Sequence, residues 1–450
     1  MTESAIKGWC PGVLRPMESG DGLIVRLKPT GGIVPVDLAM KIADWSRRFG
    51  NGEIDLTARA NLQIRGVTDA TLLGLQDAIA EAGLLDANPD GEAIRNVIAS
   101  PLAGLDPGAV LDTRPVVAAL EARLASDPRL YSLPGKFCFA VDDGGRYGLG
   151  DVRADVRFEA VVGPAFAIWL DGAPDERLGP CRPEDLPDVA AKLAGVFLAQ
   201  RGDGRRMRDL VERIGAAAIA EEIGLAFHSK APPPLRGRSA MQSIDGWRVL
   251  SPSSHSHWPS GDSTPHPDLW SDLLLKRGGA VIGVGLPFGR ISAGNLENLV
   301  TQVVSLGGTE LRLSPWRAIL VPCSSQQTAE QLAQTLPPDA FILDPADSRR
   351  RVVACVGARA CQHATTSVRE DAGRLATLVP ETSFLHLSGC VKGCAHPRRA
   401  PVTLVGDQGR YDLIRDSAPW DSPVRKGLTL DEAAAYLREM AATQTQGPAS

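Results

Sequence analysis

The sequence predicts an α+β protein made of two pseudo-symmetric halves, each a small strand–helix–strand repeat followed by a mixed α/β domain. Three observations predict it. At 450 residues the chain is too long for one compact core. Residues 22–64 lie on residues 279–321 without a gap, at a constant offset of 257. A stretch rich in Pro, Ser and His separates the two copies.

In this alignment Gly22, Gly32, Gly50, Glu53 and Leu56 fall on Gly279, Gly289, Gly307, Glu310 and Leu313. Apolar character matches as well, at Ile24 with Val281, Val34 with Ile291, Ile54 with Leu311 and Leu62 with Ile319. Because the chain holds 46 glycines, the ungapped length and the shared apolar pattern weigh more than the identities. Residues 23–27 read as a short strand and residues 29–32 as a turn. Residues 36–49 have helical spacing, with Leu38, Ile42 and Trp45 on one face. Gly50-Asn51-Gly52 is expected to stop that helix through the left-handed conformation that Gly and Asn accept. Residues 54–64 resume an extended pattern. The second copy repeats the scheme, with residues 295–306 as its helix and Gly307-Gly308 as its stop. Ala231-Pro232-Pro233-Pro234 and residues 251–266 read as irregular chain between the halves.

Composition bounds the function. Hydrophobic residues make up 44% of the chain and aromatics 5%, enough for a large ordinary core. No apolar run reaches the length of a membrane span. Residues 1–16 lack the basic-then-apolar layout of a secretory signal, so a cytoplasmic location is expected, without a membrane partner. A net charge of −5 gives no reason to expect nucleic acid. No Gly-x-Gly-x-x-Gly stands between a strand and a helix, so electrons should arrive from a separate donor.

The cysteines carry the strongest chemical signal. Cys10, Cys138, Cys181 and Cys323 stand alone, and Cys10 and Cys138 read as small buried hydrophobes. The other four form Cys355-x5-Cys361 and, after 28 residues, Cys390-x3-Cys394. In a reducing compartment such clustering reads as metal ligation rather than disulfides. Four thiolates supply one ligand per iron of a [4Fe–4S] cluster. Structural zinc is the competing reading, but its cysteine pairs usually stand two to four residues apart, and a five-residue spacer is loose for it. Gly357, Gly389 and Gly393 let the backbone wrap closely and aim amides at sulfur.

These cysteine pairs and the two-copy architecture resemble the sulfite and nitrite reductase family, across nearly the whole chain. The resemblance implies two ferredoxin-like repeats at 1–75 and 271–325, mixed α/β domains at 76–230 and 326–450, and a linker at 231–270. It implies a [4Fe–4S] cluster on Cys355, Cys361, Cys390 and Cys394. The family's Thr-x-Arg segment corresponds to Thr57-Ala58-Arg59-Ala60-Asn61-Leu62-Gln63, which implies substrate contacts from Arg59, Asn61 and Gln63. Its Arg-Asn-Val stretch corresponds to Arg95-Asn96-Val97, implying Arg95. Its Leu-Pro-x-Lys-Phe-Lys segment corresponds to Leu133-Pro134-Gly135-Lys136-Phe137-Cys138, implying Lys136.

The second lysine of that last segment is replaced by Cys138, which weakens a site for a small dianion. Trp9-Cys10-Pro11-Gly12, Ile54-Asp55-Leu56-Thr57 and the segment from Gly389 to Pro397 resemble instead the precorrin-3B synthase subfamily. That resemblance implies hydroxylation of precorrin-3A by dioxygen, with lactone formation, in aerobic cobalamin biosynthesis. It implies a mononuclear non-haem iron beside the cluster and NADH-derived electrons delivered by a separate donor protein. A sirohaem-dependent sulfite or nitrite reductase is the alternative. Sirohaem and precorrin-3A are both carboxylate-fringed macrocycles, so one cleft suits either. Arg59, Arg95, Lys136 and Lys392 are the cations expected to meet those carboxylates. For the iron the sequence offers His228, His255, His257, His266, His363, His386 and His396, without singling out ligands.

Overall fold

A computed structural model describes residues 10–229 and 278–445, together with short strands at 242–244, 247–249 and 273–274. Most of the expected linker at 231–270 lies outside the described residues. The two repeats build one core between two five-stranded antiparallel sheets. The first sheet runs Met17–Ser19, Gly22–Leu27, Leu62–Val67, Glu53–Leu56 and Arg290–Ser292. The second runs Leu273–Leu274, Ala280–Gly285, Ala318–Cys323, Glu310–Leu313 and Ile33–Pro35. Each repeat thus lends a three-residue strand to the other's sheet. Ile54 pairs with Ile291, and Leu311 with Val34, so the exchange obeys the same offset of 257. Left-handed residues repeat it too, at Ala60 and Arg317, Gly31 and Phe288, Gly32 and Gly289.

Helices Val36–Phe49 and Ala293–Ser305 pack against each other on the apolar faces of these sheets. Ile42, Trp45, Ile54 and Ile64 share a continuous core with Leu296, Leu299, Leu311 and Ile319. The two repeats are therefore joined in one packed unit, which alternation along isolated strands cannot reveal.

Two local expectations are corrected. The extended run at 54–64 is a hairpin, Glu53–Leu56 and Leu62–Val67, turned at residues 57–61. The Thr57 Oγ1 accepts from the backbone N–H of Arg59 and of Asn61, each at 3.2 Å, which bends the chain and puts Arg59 at the tip. Gly50 is extended rather than left-handed. It is glycine because a Cβ there would meet the Arg65 carbonyl oxygen at 2.4 Å, and Gly52 supplies the positive φ.

The α/β domains repeat each other as well. In chain order the first has Val97–Ala99, Phe139–Asp142, Val156–Val161, Ala165–Leu170 and Arg177–Cys181, followed by Phe227–His228. The second has Val352–Ala354, Leu385–Ser388, Ala400–Asp407, Arg410–Ser417 and Arg425–Leu428. In both, the first three strands pair in parallel and the later ones antiparallel. Helices Arg114–Ala125 and Leu186–Gln200 cover one face of the first sheet. Val368–Leu375 and Leu430–Thr445 cover the second.

The uncovered faces position the site. In the first domain Ile98, Cys138, Ala140, Tyr147 and Leu149 pack on Val281, Trp316, Ala318 and Leu320 of the second repeat, a dry contact. The offset of 257 maps Trp316, Ala318 and Leu320 onto Arg59, Asn61 and Gln63. The first repeat therefore presents polar and cationic residues where the second presents apolar ones. The second domain carries His386 and Thr403, side by side in register on the face that alternation turns away from its helices.

Candidate active site

Cys355 follows strand Val352–Ala354, and Cys390 follows strand Leu385–Ser388. These strands are parallel neighbours, so both loops leave one edge of the sheet, at the carboxyl ends where α/β sheets open ligand crevices. All four cysteines are free; Cys394 is exposed and the other three are half-buried. The backbone N–H of Gly389 donates to the Cys355 sulfur at 3.1 Å, and Gly357 donates a second. A side chain at Gly389 would meet the Ala364 Cβ at 2.7 Å and the Cys355 sulfur at 3.4 Å, so glycine closes this cradle.

Burial pushes the Cys355 and Cys394 thiols up, and the neighbouring cysteines push them further, so the sulfurs are grouped closely enough to oppose one another's ionisation. A bound metal removes that penalty, because its ligands must be deprotonated. Among the described residues, however, no three His, Cys, Asp or Glu side chains converge on the seat of a single ion. Zinc would draw all four sulfurs to about 2.3 Å from one centre. A cubane takes one thiolate at each of four irons and needs them spread apart. Amide donors and four free, mutually close thiols fit the [4Fe–4S] cluster.

Beside this edge lies a cationic wall. The Arg59 Nη2 donates to the Lys136 carbonyl at 2.8 Å, and its Nη1 lies 3.6 Å from the Cys10 sulfur. Arg206 donates to the same carbonyl at 2.7 Å and pairs with Asp155 at 3.0 Å. The exposed ammonium of Lys136 favours the thiolate of Cys394, which places the 133–138 segment of the first domain next to the cysteine loop. Arg26 also faces Cys10, and with the Gln63 amide oxygen turned toward it, that oxygen accepts from its Nε at 3.1 Å and its Nη2 at 2.7 Å. Lys28 donates to the Asn96 amide oxygen at 3.1 Å; burial, with Arg26 nearby, lowers its pKa to about 8.

Burial pushes the Cys10 thiol up, but Arg59, Arg26 and Lys28 outweigh it and hold its pKa below the ordinary value. Cys10 is thus buried, but among cations rather than as a plain hydrophobe. Trp9 lies outside the described residues. Arg26 and Lys28 were not singled out by sequence, although the signal was present. Val25 and Leu27 alternate with them and enter the core, which turns the two cations to the opposite face.

One expected substrate residue, Arg95, is engaged within the frame, while Cys138 is buried as expected and Asn61 helps close the hairpin. Arg95 donates through Nε and Nη2 to Asp86 at 3.0 and 2.8 Å, and through Nη1 to Glu121 at 2.9 Å and the Lys28 carbonyl at 3.1 Å. Its guanidinium is held within the frame by these contacts. Cys138 is 0% exposed inside the apolar contact with the second repeat, and burial pushes its thiol up to about 11. The lysine-segment alignment therefore ends in a buried contact, with Arg59 and Arg206 near enough to oppose that rise. Asn61 is buried, and its carbonyl accepts from the backbone N–H of Thr57 at 2.9 Å, closing the hairpin turn. Lys392 is exposed on the loop between Cys390 and Cys394.

The histidines do not assemble a mononuclear iron site among the described residues. His255, His257 and His266 lie outside them. His228 sits against the Gly179 carbonyl at the far edge of the first sheet, and His363 is exposed. His386 is 0% exposed with neither ring nitrogen partnered. Burial, His396 and Arg317 lower its pKa to about 3. Its ring lies 5.6 Å from that of His396, whose Nε2 is 3.1 Å from the Arg399 carbonyl. Two imidazoles beside an arginine do not match the two-histidine, one-carboxylate set that holds such an iron.

Comparison with known proteins adds three findings. The model of the nitrite/sulfite reductase ferredoxin-like half domain matches residues 15–82, and that of the nitrite and sulphite reductase 4Fe-4S domain matches residues 90–230. The second match falls on the first α/β domain, the symmetry counterpart of the one bearing the four cysteines. Precorrin-3B synthase of Sinorhizobium sp is 32% identical over 428 residues, spanning 92% of this chain and 83% of that protein. Ferredoxin–nitrite reductase of Synechococcus elongatus is 25% identical over 88% of this chain and 78% of its own length. The solved structure of Mycobacterium tuberculosis NirA superposes with a TM-score of 0.70 at 19% identity, covering 95% of this chain and 82% of that one, a likeness in fold.

Proposed function

Because the chain belongs to the nitrite and sulfite reductase family, and is an iron–sulfur oxidoreductase, we propose that it acts as its precorrin-3B synthase relative does, hydroxylating precorrin-3A with lactone formation. The observation that carries this reading is the cationic wall of Arg26, Lys28 and Arg59, with Lys136 at its rim, beside the cysteine edge. A macrocycle fringed with carboxylates matches several separated cations, and arginine adds planar two-point contacts. Arg59 and Arg26 bind and orient the macrocycle, Gln63 holds Arg26, and Lys136 closes the rim toward Cys394.

Hydroxylation places one oxygen atom of dioxygen in the product and reduces the other to water, consuming two electrons and two protons. The cluster held by Cys355, Cys361, Cys390 and Cys394 would supply electrons one at a time. They would come from NADH through a separate protein. The exposed cysteine edge supports its docking there, since Val391 and Trp420 are 61% and 57% exposed and Pro419 packs against Gly393 in the same loop. The oxygen-activating iron implied by the family resemblance finds no donor set among the described residues.

The test is incubation of the anaerobically reconstituted chain with precorrin-3A, reductant and ¹⁸O-labelled dioxygen. A product carrying one ¹⁸O, from protein showing only the broad absorption of an iron–sulfur cluster, is expected. Intense sirohaem bands together with sulfite- or nitrite-dependent turnover would establish the alternative reading instead.

A further inference from the structure

The first repeat reaches across the molecule to the loop that carries Cys361. Arg65 is 1% exposed and among the largest side chains buried so completely. Its Nη2 donates to the carbonyl of Ala360 at 2.8 Å, and the Ser19 hydroxyl donates to the same oxygen. Arg65 is held in turn by Asp21, at 2.9 and 2.6 Å, and by Asp55 at 3.3 Å. Asp55 also accepts from Arg290 of the second repeat at 2.8 and 3.1 Å, and from Arg369 of the cysteine-bearing domain at 2.9 Å. One buried carboxylate thus ties both repeats to that domain.

Gly20 completes the contact. A Cβ there would lie 2.7 Å from the Arg359 carbonyl oxygen and 3.0 Å from the Cys361 nitrogen, both backbone atoms unable to swing aside. Arg359 itself holds a φ of +67°, which a non-glycine residue keeps only where its surroundings enforce it. The other half also holds a loop carbonyl with a buried arginine, drawn from a different strand. Arg312, equally buried, donates to the Ala103 carbonyl at 3.3 Å, in the loop after Val97–Ala99 that corresponds to the loop after Val352–Ala354. Each half thus fixes a loop carbonyl with a buried arginine, from positions that the offset of 257 does not relate, and beside the cysteines the clamped carbonyl belongs to the peptide bond of Cys361.

We propose that Ser19, Gly20 and Arg65 form a positioning clamp that sets the seat of Cys361, and through it the lifetime and reduction potential of the cluster. The proposal rests on Cys361 being a cluster ligand. Groups that orient a ligand typically change metal affinity by about 10–100-fold when removed. Ser19→Ala deletes one of two donors to Ala360, and Gly20→Ala pushes the loop away. Ser19→Ala also removes an acceptor of the Arg65 Nη2, at 2.9 Å, but both variants keep the Arg65 pairs with Asp21 and Asp55, so both should fold.

Each full-length variant would be reconstituted anaerobically. Iron and sulfide content, the half-life of the cluster under a ferrous-iron chelator, the midpoint potential by EPR-monitored titration and the circular dichroism spectrum would then be measured. Both variants should show native secondary structure, about tenfold faster cluster loss and a shifted midpoint, with Ser19→Thr restoring the wild-type values. A wild-type half-life and potential in either variant overturns the clamp. Cys361→Ser separates the two readings. Retention of four irons in that variant removes Cys361 as a ligand, whereas their loss alongside unaltered Ser19→Ala and Gly20→Ala proteins refutes the clamp alone.

Discussion

Replacing Arg95 by alanine should unfold the first α/β domain more readily while leaving the macrocycle's affinity nearly intact. The guanidinium is about one-eighth exposed and neutralises two carboxylates, Asp86 and Glu121, whose side chains are 14% and 7% exposed. Removing one member of a buried ion pair costs about 3–5 kcal/mol, because the partner charge is left without compensation. For a domain of this size a kcal/mol moves the melting point by about 2–4 °C, so a fall of roughly 10 °C is expected. The loss should depend on pH. Burial already raises the Glu121 pKa above its unfolded value, with Arg95 opposing the rise. Without Arg95 the folded protein holds that proton to higher pH than the unfolded chain does. Folding then takes up a proton, and stability falls as pH increases through this window. Arg95→Ala should therefore lie closer to wild type in melting temperature at pH 5 than at pH 8. Thermal unfolding followed by circular dichroism at both values, paired with precorrin titration, measures both effects. A variant as stable as wild type but unable to bind the macrocycle would refute the assignment of Arg95 to the frame.

Three further outcomes are expected. Replacing any one of Cys355, Cys361, Cys390 or Cys394 by Ser should abolish the intact cluster, and full iron and sulfide content in two of the four would refute the ligand set. Arg59→Ala and Arg26→Ala should each weaken precorrin binding by about 1.5–3 kcal/mol while leaving the EPR signal of the cluster unchanged; unaltered affinity in both removes the cationic wall from the site. Cys138→Lys should gain no sulfite affinity and should destabilise the protein by several kcal/mol, because the ammonium would enter an apolar contact that is 0% exposed. Tighter sulfite binding in a stable variant would show that position 138 faces the cleft after all.

Repeat, cysteine spacing and helix placement were legible in the sequence because each is a pattern in neighbouring residues or in a constant offset. Residues 36–49 form the expected helix, and the offset of 257 governs even the left-handed positions. Arg59 was found through its Thr-x-Arg segment, and Thr57 supplies the physical reason by bending the hairpin that presents it. The partners of buried charges could not be read in the same way. Whether Arg95 meets a ligand or Asp86 and Glu121 depends on which loops fold beside it, and Cys138 is buried in a cluster that draws on Trp316, 178 residues later in the chain. The exchange of three-residue strands likewise joins segments more than two hundred residues apart. Local periodicity sets which face a residue occupies, but the tertiary structure alone decides what stands opposite that face, and here that made one of two related contacts a dry core and the other a cationic site.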